Sequence, residues 1–206
     1  MSRSPEELRS LSGILLAGGA SRRMGRPKAG LEIEGETFAR RIDRRMRDAG
    51  IEPRLVVAGV HAAETRAALG DPSPDRILVN PDPDRGQLSS LRIALEWLVA
   101  NAPAADAVLV ALVDHPEVAA STYAALRDAW RLASSDAATA ILIPTSDGRR
   151  GHPVVFGRSV WKELLALPES VGAREVVHAD QARVREIAVP DPGILRDIDT
   201  PVDLPR

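Results

Sequence analysis

Residues 13–28 of this 206-residue chain read GILLAGGASRRMGRPK: an apolar run ends at Gly18-Gly19, and Ser21, Arg22, Arg23 and Lys28 follow. Paired glycines allow positive φ and let backbone N–H groups approach an anion, and the polar residues add side-chain donors. The chemistry such a set supports is phosphate binding. The same residues also describe a tight strand-to-helix turn with solvated arginines. Arginine occurs 25 times and lysine only twice, at Lys28 and Lys162, so a lysine just past the glycine turn calls for a reason. The stretch contains neither the G-x-G-x-x-G dinucleotide fingerprint nor a P-loop closed by Gly-Lys-[Ser/Thr].

Four more places carry residues able to do chemistry. Asp114 follows the apolar run 106–113, and Asp197 and Asp199 lie in DIDTP. Asn80, Gly86, Gln87, Ser89 and Ser90 fall within NPDPDRGQLSS, and His152 within GHP. Each has a plainer reading. Asp114 suits the N-cap of a following helix, Ser89 the N-cap after a solvated loop, and DIDTP an Asp cap with Pro201 at the first helical position. His152 suits a surface turn. His61 and His178 read as helix-surface residues, His115 has no role, and Trp97, Trp130 and Trp161 read as core.

The elements that must position these residues alternate in type. Apolar runs at Ser12–Ala17, Arg54–Val60, Arg76–Asn80, Asp106–Val113, Ala138–Pro144, Val154–Phe156 and Arg183–Val189 read as strands. Helical periodicity fills Thr37–Ala49, His61–Leu69, Ser89 to about Ala100, 117–133, 158–166 and 172–179, with Leu91, Leu95 and Leu98 on one face. Strands separated by helices imply right-handed crossovers and a mostly parallel sheet, with Asp106–Val113 as its central strand. Ligands in such sheets sit outside the carboxyl ends of the strands, which selects the loops 18–28, 80–90, 114–116 and 144–153.

Composition bounds the function. The chain suits one domain able to bury about 70% of its unfolded surface. Net charge is −2 with both signs interspersed, so neither nucleic acid nor an anionic membrane is expected as a partner. The absence of cysteine excludes disulfides, thiolate metal sites and a Cys nucleophile. The N-terminal residues lack the apolar core of a signal peptide, and no run of about 18 apolar residues occurs. A soluble cytoplasmic protein is expected.

LAGGASRRMGRPK resembles the signature L-[AG]-x-G-x-[ST]-x-R-M-G-x-x-K of nucleotidyltransferases that bind an NTP at the first strand–loop junction. Leu16, Gly19, Ser21, Arg23, Met24, Gly25 and Lys28 fall on its positions. Within that family, NPDPDRGQLSSLRIAL at 80–95 resembles the base-binding segment of the enzymes acting on molybdopterin, and VDHP at 113–116 their metal-binding [GV]-D-x-P. RGHPVVF at 150–156 and GAREVV at 172–177 resemble their pterin-side motifs, and DIDTPVDL at 197–204 their closing D-I-D-T-P-x-D. The likeness covers nearly the whole chain and is greatest to the molybdenum cofactor cytidylyltransferases. Two departures stand out. Gly18 makes the opening L-A-G-G, as in guanylyltransferases, where cytidylyltransferases usually carry alanine, and VDHP replaces VDQP.

The resemblance implies a three-layer α/β fold, a mostly parallel Rossmann-like sheet of the nucleotidyltransferase type, in a single domain over 1–206. It implies Mg²⁺-dependent transfer of CMP from CTP to molybdopterin carrying molybdenum, with release of pyrophosphate. GTP as donor, or another phosphorylated small molecule as acceptor, are the alternatives. It places Leu16, Ala17, Gly18, Gly19, Arg23, Lys28, Asn80, Gly86, Gln87, Ser89 and Ser90 on the nucleotide. Asp114 and Asp199 fall on the metal, with Asp197 as the alternative to Asp199, and His152 on the acceptor. Arg23, Lys28 and Asp114 would be catalytic, and a molybdenum hydroxylase would receive the product.

Nucleotidyl transfer builds negative charge on the leaving pyrophosphate and the α-phosphoryl oxygens, so it needs cations and aligned N–H donors more than a protein nucleophile. Arg23 would brace the β- and γ-phosphates bidentately. Lys28, a compact charge on a flexible stem, would bridge the α-phosphate and the acceptor phosphate, which a planar guanidinium does less well. Two rivals come from other classes: an NAD(P)-dependent oxidoreductase, and a chaperone for a molybdenum hydroxylase. The missing fingerprint opposes the first, and the retained Arg23, Lys28, Asp114 and Asp199 oppose the second.

Overall fold

The structure, a computed structural model, describes residues 9–19, 21, 24–70, 77–133 and 135–204. In chain order the strands and helices are β1 (Leu11–Ala17), β2 (Glu32–Ile33), β3 (Glu36–Thr37), α1 (Phe38–Asp48), β4 (Arg54–Ala58), α2 (Ala62–Leu69), β5 (Ile77–Val79) and α3 (Gln87–Asn101). Then follow β6 (Ala107–Leu112), α4 (Ala120–Arg131), β7 (Ile141–Ser146), β8 (Arg149–Arg150), β9 (Val154–Gly157), α5 (Val160–Ala166), α6 (Arg174–Ala179) and β10 (Val184–Ala188). The main sheet runs β10-β7-β9-β6-β1-β4-β5, with β8 paired to β7. All pairings along this path are parallel except those of β9, which runs against both β6 and β7. The expected central strand is central: β6 is fourth of seven.

Both faces of the sheet are covered, which is why its strands read as continuous apolar runs. Leu11, Leu15 and Ala17 of β1 pack with Phe38, Ile42 and Met46 of α1 and with Tyr123, Leu126 and Trp130 of α4. Ile14 and Leu16 point the other way, toward Leu91, Leu95 and Leu98 of α3 and Trp161 and Leu164 of α5. Trp130 and Trp161 are core, as expected, and Trp97 is half-buried. Among the described residues no helix is long and apolar enough to cross a membrane.

Four local expectations need correction. The strand expected at Ala138–Pro144 is Ile141–Ser146, because 135–139 form a 3₁₀ turn whose Ala137 and Ala138 carbonyls accept from Ala140 and Ser159. The helix expected at 117–133 starts at Ala120, and α3 starts at Gln87 rather than Ser89. The β2–β3 hairpin was not expected: two-residue strands are too short for alternation to show, although Glu34-Gly35, both at positive φ, form its turn. Arg76, expected to open the third strand, lies outside the described residues.

Parallel pairing puts the carboxyl ends of β1, β4, β5, β6 and β7 on one edge, and the antiparallel β9 brings its N-terminal end there too. Residues 189–199 then run back along this edge as a strap. Asp191 anchors it: its buried carboxylate accepts from Ala119 N (2.8 Å), Thr122 Oγ1 (2.6 Å) and Gly193 N (2.9 Å). It thereby caps α4 from a distance, since Ala119 itself offers no side-chain cap. The strap lies so close that a Cβ on Gly193 would sit 2.6 Å from the Glu117 carbonyl, and one on Gly151 would meet the Ile194 carbonyl oxygen. Replacing Asp191 with alanine removes a buried charged acceptor from three donors. Urea unfolding of Asp191→Ala is expected to show a loss of about 2–4 kcal/mol at unchanged m-value.

Candidate active site

The loop after β1 is folded by Ser21, which takes φ 49°. Its carbonyl accepts from Met24 N (3.0 Å) and Gly25 N (3.2 Å), and its hydroxyl from Lys28 N (3.1 Å). Buried Met24, Ala29 and Leu31 moor the loop to the core. Lys28 is therefore fixed at its backbone, and its side chain runs to two carboxylates. Nζ lies 2.5 Å from Asp199 Oδ1 and 3.6 Å from Asp114 Oδ2. Arg22 and Arg23 lie outside the described residues.

Each carboxylate has been released from capping. Asp114 follows β6 but caps nothing, because α4 begins six residues later and takes Asp191 instead. Arg45 of α1 is buried beneath the 114–118 loop and donates to the Pro116 carbonyl (2.7 Å) and to that of Val118. Ile198 N donates to the Asp114 carbonyl (2.8 Å), which docks the end of the strap. Asp199 is spared because Thr200 is the N-cap of the final 3₁₀ turn, with Pro201 at N1 and Asp203 closing a capping box. Asp203 Oδ2 accepts from Thr200 N (2.7 Å) and Asp199 N (3.2 Å). These bonds, led by that from the Thr200 hydroxyl, hold the Asp203 carboxyl below its ordinary pKa. Asp197 is exposed, does not line the cleft, and exerts a pull on the pKa of His115.

Among the described residues Lys28 is the ammonium that meets both carboxylates, and Asp114 Oδ1 is buried with no hydrogen-bond partner among them. That orphaned oxygen fits a hard cation. No group of three or more His, Cys, Asp or Glu side chains among the described residues is arranged to hold a metal. The donor set therefore suits an ion bound by one or two carboxylates and completed by substrate phosphates.

A cleft of about 410 Å³ opens over these groups. Of the residues expected on the nucleotide, Leu16, Gly18, Gly19, Lys28, Gly86, Gln87 and Ser90 line it, together with Asp114 and Asp199. Ala17, Asn80 and Ser89 stand behind the wall. Asn80 is buried and its amide is spent, Nδ2 donating to Ser89 Oγ (2.8 Å) and Ser90 Oγ (2.9 Å). Ser89 does not cap α3; its hydroxyl donates to the Gly86 carbonyl (2.7 Å). Sequence reasoning missed Pro83, Asp84, Leu112 and Val113 in the lining, and Arg45, Asp191 and Asp203 as supports. Thr200-Pro201-Val202-Asp203 has the spacing of a capping box, a signal that was available.

His152 lies in a second cavity of about 530 Å³ that shares Gln87 and Leu112 with the first. Its wall is apolar at Val110, Ile143 and Phe156, and Arg150, Arg174 and His178 also line it. Behind His152 stands His115, which is buried, with ring centroids 5.0 Å apart. Burial, with a smaller contribution from His115, pushes the His152 pKa down to about 4. Burial also lowers His115, against the opposing pull of Asp114 and Asp197. Both rings are neutral near pH 7.

The family described as MobA-like NTP transferase domain matches residues 13–184. A probable molybdenum cofactor guanylyltransferase of Opitutus terrae is 36% identical over 122 residues, 59% of this chain and 56% of that protein, so the chain spans just over half of that relative's length. A nicotine blue oxidoreductase of Paenarthrobacter nicotinovorans is 32% identical over 94% of each chain. A molybdenum cofactor guanylyltransferase of Burkholderia ambifaria is 31% identical over 85% of this chain and 83% of that one. Among solved structures, Rv0371c of Mycobacterium tuberculosis superposes with a TM-score of 0.80 at 31% identity over 96% of both chains. Its complex with manganese gives 0.68 at 28% identity over 87% of this chain and 88% of that one. A match across most of the sequence, on a mostly parallel α/β sheet with a cleft at its carboxyl edge, means that the chain belongs to the MobA-like NTP transferase family.

Proposed function

We propose that the chain transfers a nucleotidyl group from an NTP to the phosphate of molybdopterin carrying molybdenum, releasing pyrophosphate. The observation that carries this is the Lys28 ammonium held against Asp199 and Asp114 in a cleft that shares a wall with a second cavity. The second cavity combines an apolar wall with arginines and His152, which suits a flat heteroaromatic bearing an anionic phosphate. An acceptor phosphate oxygen would bond to the α-phosphorus as the bond to the bridging oxygen of pyrophosphate breaks. The attacking oxygen is already anionic, so no strong general base is needed. Lys28 would balance charge on the α-phosphate and the acceptor, and Arg23 on the leaving group. Asp114 and Asp199 would hold Mg²⁺, which when bound neutralises phosphoryl oxygens; the manganese complex of a relative supports a divalent ion. His152 would donate to the acceptor. We assign a cytoplasmic location and a molybdenum hydroxylase as recipient of the product on the strength of the sequence resemblance.

The GHP, GAR and DIDTPVD segments favour CTP as donor. GTP is a second reading with its own support: Gly18 lines the cleft, a Cβ there would sit 2.8 Å from Ser90 Oγ, and several relatives are named guanylyltransferases. Incubation of the protein with each NTP and molybdenum-loaded molybdopterin, followed by chromatography of the pterin product, decides the donor. Pterin dinucleotide from CTP is expected; product from GTP alone moves the chain to the guanylyl branch. Absence of product from every NTP, with tight binding of NADPH, would favour the activity in the name of the Paenarthrobacter relative.

Lys28→Arg and Asp114→Ala are each expected to lower kcat by roughly 10³-fold while leaving the thermal midpoint within a few degrees. A Lys28→Arg enzyme of near-normal rate would exclude the point-charge role.

His152 also predicts an acid response. Its pKa in the fold, about 4, lies below that of the unfolded chain, about 6.5, so the unfolded state takes up the proton first. The stabilisation is whole above pH 6.5 and is lost as pH falls toward 4, by up to about 3 kcal/mol. Unfolding titrations from pH 7 to pH 4 should show a shallower decline for His152→Gln than for the parent chain.

A further inference from the structure

His115 is absorbed by none of the roles above, yet it is about nine-tenths buried between the two halves of the site. Its Nε2 lies 3.9 Å from Asp114 Oδ1. Its ring also packs on that of His152, at a centroid separation of 5.0 Å and an interplanar angle of 51°. Against the larger effect of burial, the backbone of Gly193, the strap residue that lies against Glu117, is close enough to pull the His115 pKa up. His152 is tied to the next strap residue, its N–H donating to the Ile194 carbonyl at 3.0 Å. Nδ1 of both rings is buried without a hydrogen-bond partner among the described residues. A core that needed only volume would use an apolar ring here, because an unsatisfied buried nitrogen costs stability.

We propose that His115 is a positioning residue that couples the cavity holding His152 to the Asp114 carboxylate. The proposal rests on reading that cavity as the acceptor site. Close-packed interiors pass small displacements between neighbours rather than absorbing them. When an acceptor takes the His152 ring as donor, His115 repacks and its far edge reorients the unpartnered Asp114 oxygen. The donor-side carboxylate thus reaches its working orientation when the acceptor cavity is filled. This also gives a reason for histidine in VDHP: its ring packs on His152 while its nitrogen edge meets Asp114, and phenylalanine keeps only the first contact whereas glutamine keeps a polar group for the second.

The test uses the full chain and three variants, His115→Phe, His115→Gln and His152→Phe. In transfer assays, His115→Phe is expected to lose 10- to 100-fold in kcat with the KM for the NTP within twofold. His115→Gln should recover at least a third of that loss on a logarithmic scale. The double variant His115→Phe/His152→Phe should lose no more than the worse single one, since coupled residues are not additive. Wild-type kcat in His115→Phe, or additive losses in the double variant, would overturn the proposal. A second readout does not depend on transfer: ¹H–¹⁵N imidazole spectra with Mg²⁺ and a non-hydrolysable NTP. The His152 ring signals should shift in the parent chain and stay unmoved in His115→Phe. Unmoved His152 signals in the parent chain would overturn the coupling, and failure of transfer with the shift present would instead overturn the assigned acceptor. If His115→Phe does not fold, the glutamine variant is read in both assays and must show a smaller shift than the parent.

Discussion

The Lys28 ammonium against Asp199 is a contact between residues 171 positions apart, and the rest of the site is arranged so that it can form. Closing a flexible loop of that length costs on the order of 5 kcal/mol in chain entropy. A part-exposed ion pair returns about 1 kcal/mol or less. The pair therefore cannot organise the fold, and the fold has to deliver it. β1 and β6 are adjacent and parallel, so Gly18 and Asp114 emerge side by side whatever Lys28 does. Asp199 has no strand of its own to carry it there. It arrives on the strap, held at Asp191, at Gly193 against Glu117, at Ile194 with His152, and at Ile198 with Asp114.

Releasing the two carboxylates from structural duty is the second constraint. An aspartate after a strand or before a turn is ordinarily taken up by backbone N–H groups. Here other side chains do that work: Asp191 caps α4 in place of Asp114, and the Thr200–Asp203 capping box closes the last turn in place of Asp199. Arg45, inside the first helical layer, satisfies the carbonyls of the 114–118 loop. What remains on Asp114 is an oxygen with no hydrogen-bond partner among the described residues, an arrangement that costs stability unless an ion or substrate completes it.

Much of this was legible beforehand, and the reasons differ by residue. β1 and β6 are buried on both faces, so their apolar runs marked them as inner strands. Their parallel crossovers then assigned the loops 18–28 and 114–116 to the ligand edge. Lys28 stood out by composition alone. Asn80 and Ser89 are ambiguous in the sequence because a polar residue after a strand looks the same whether it faces a ligand or ties a loop; the loop-tying part becomes visible in the hydrogen bonds from Asn80 Nδ2. Asp191 was invisible because its partners, Ala119 and Thr122, lie about 70 residues away, beyond the reach of any local pattern. Arg45 looked like four other arginines in FARRIDRRMRD, although its spacing from Phe38 and Ile42 puts it on the buried face of α1.

The same strap that delivers Asp199 to the donor cleft passes over the loop that carries His152, and this ordering has a consequence. The contact of Asp199 with Lys28 cannot form independently of the cavity that holds His152, because the strap that carries Asp199 is also bonded to residues 114–122 and 151–152. Gln87 and Leu112, which line both cavities, enforce the same link from the sheet side. A reaction between two anions gains from such construction: the charges that must approach are held by one continuous piece of backbone, so their separation is set during folding rather than at each encounter. Gly18 lines the same cleft as Lys28 and Asp114, at the wall where Ser90 is held by Asn80. A Cβ added at Gly18 would meet Ser90 Oγ and the backbone of Ala58 and Gly59, so that wall is built from contacts other than those that bring Lys28 to Asp114 and Asp199.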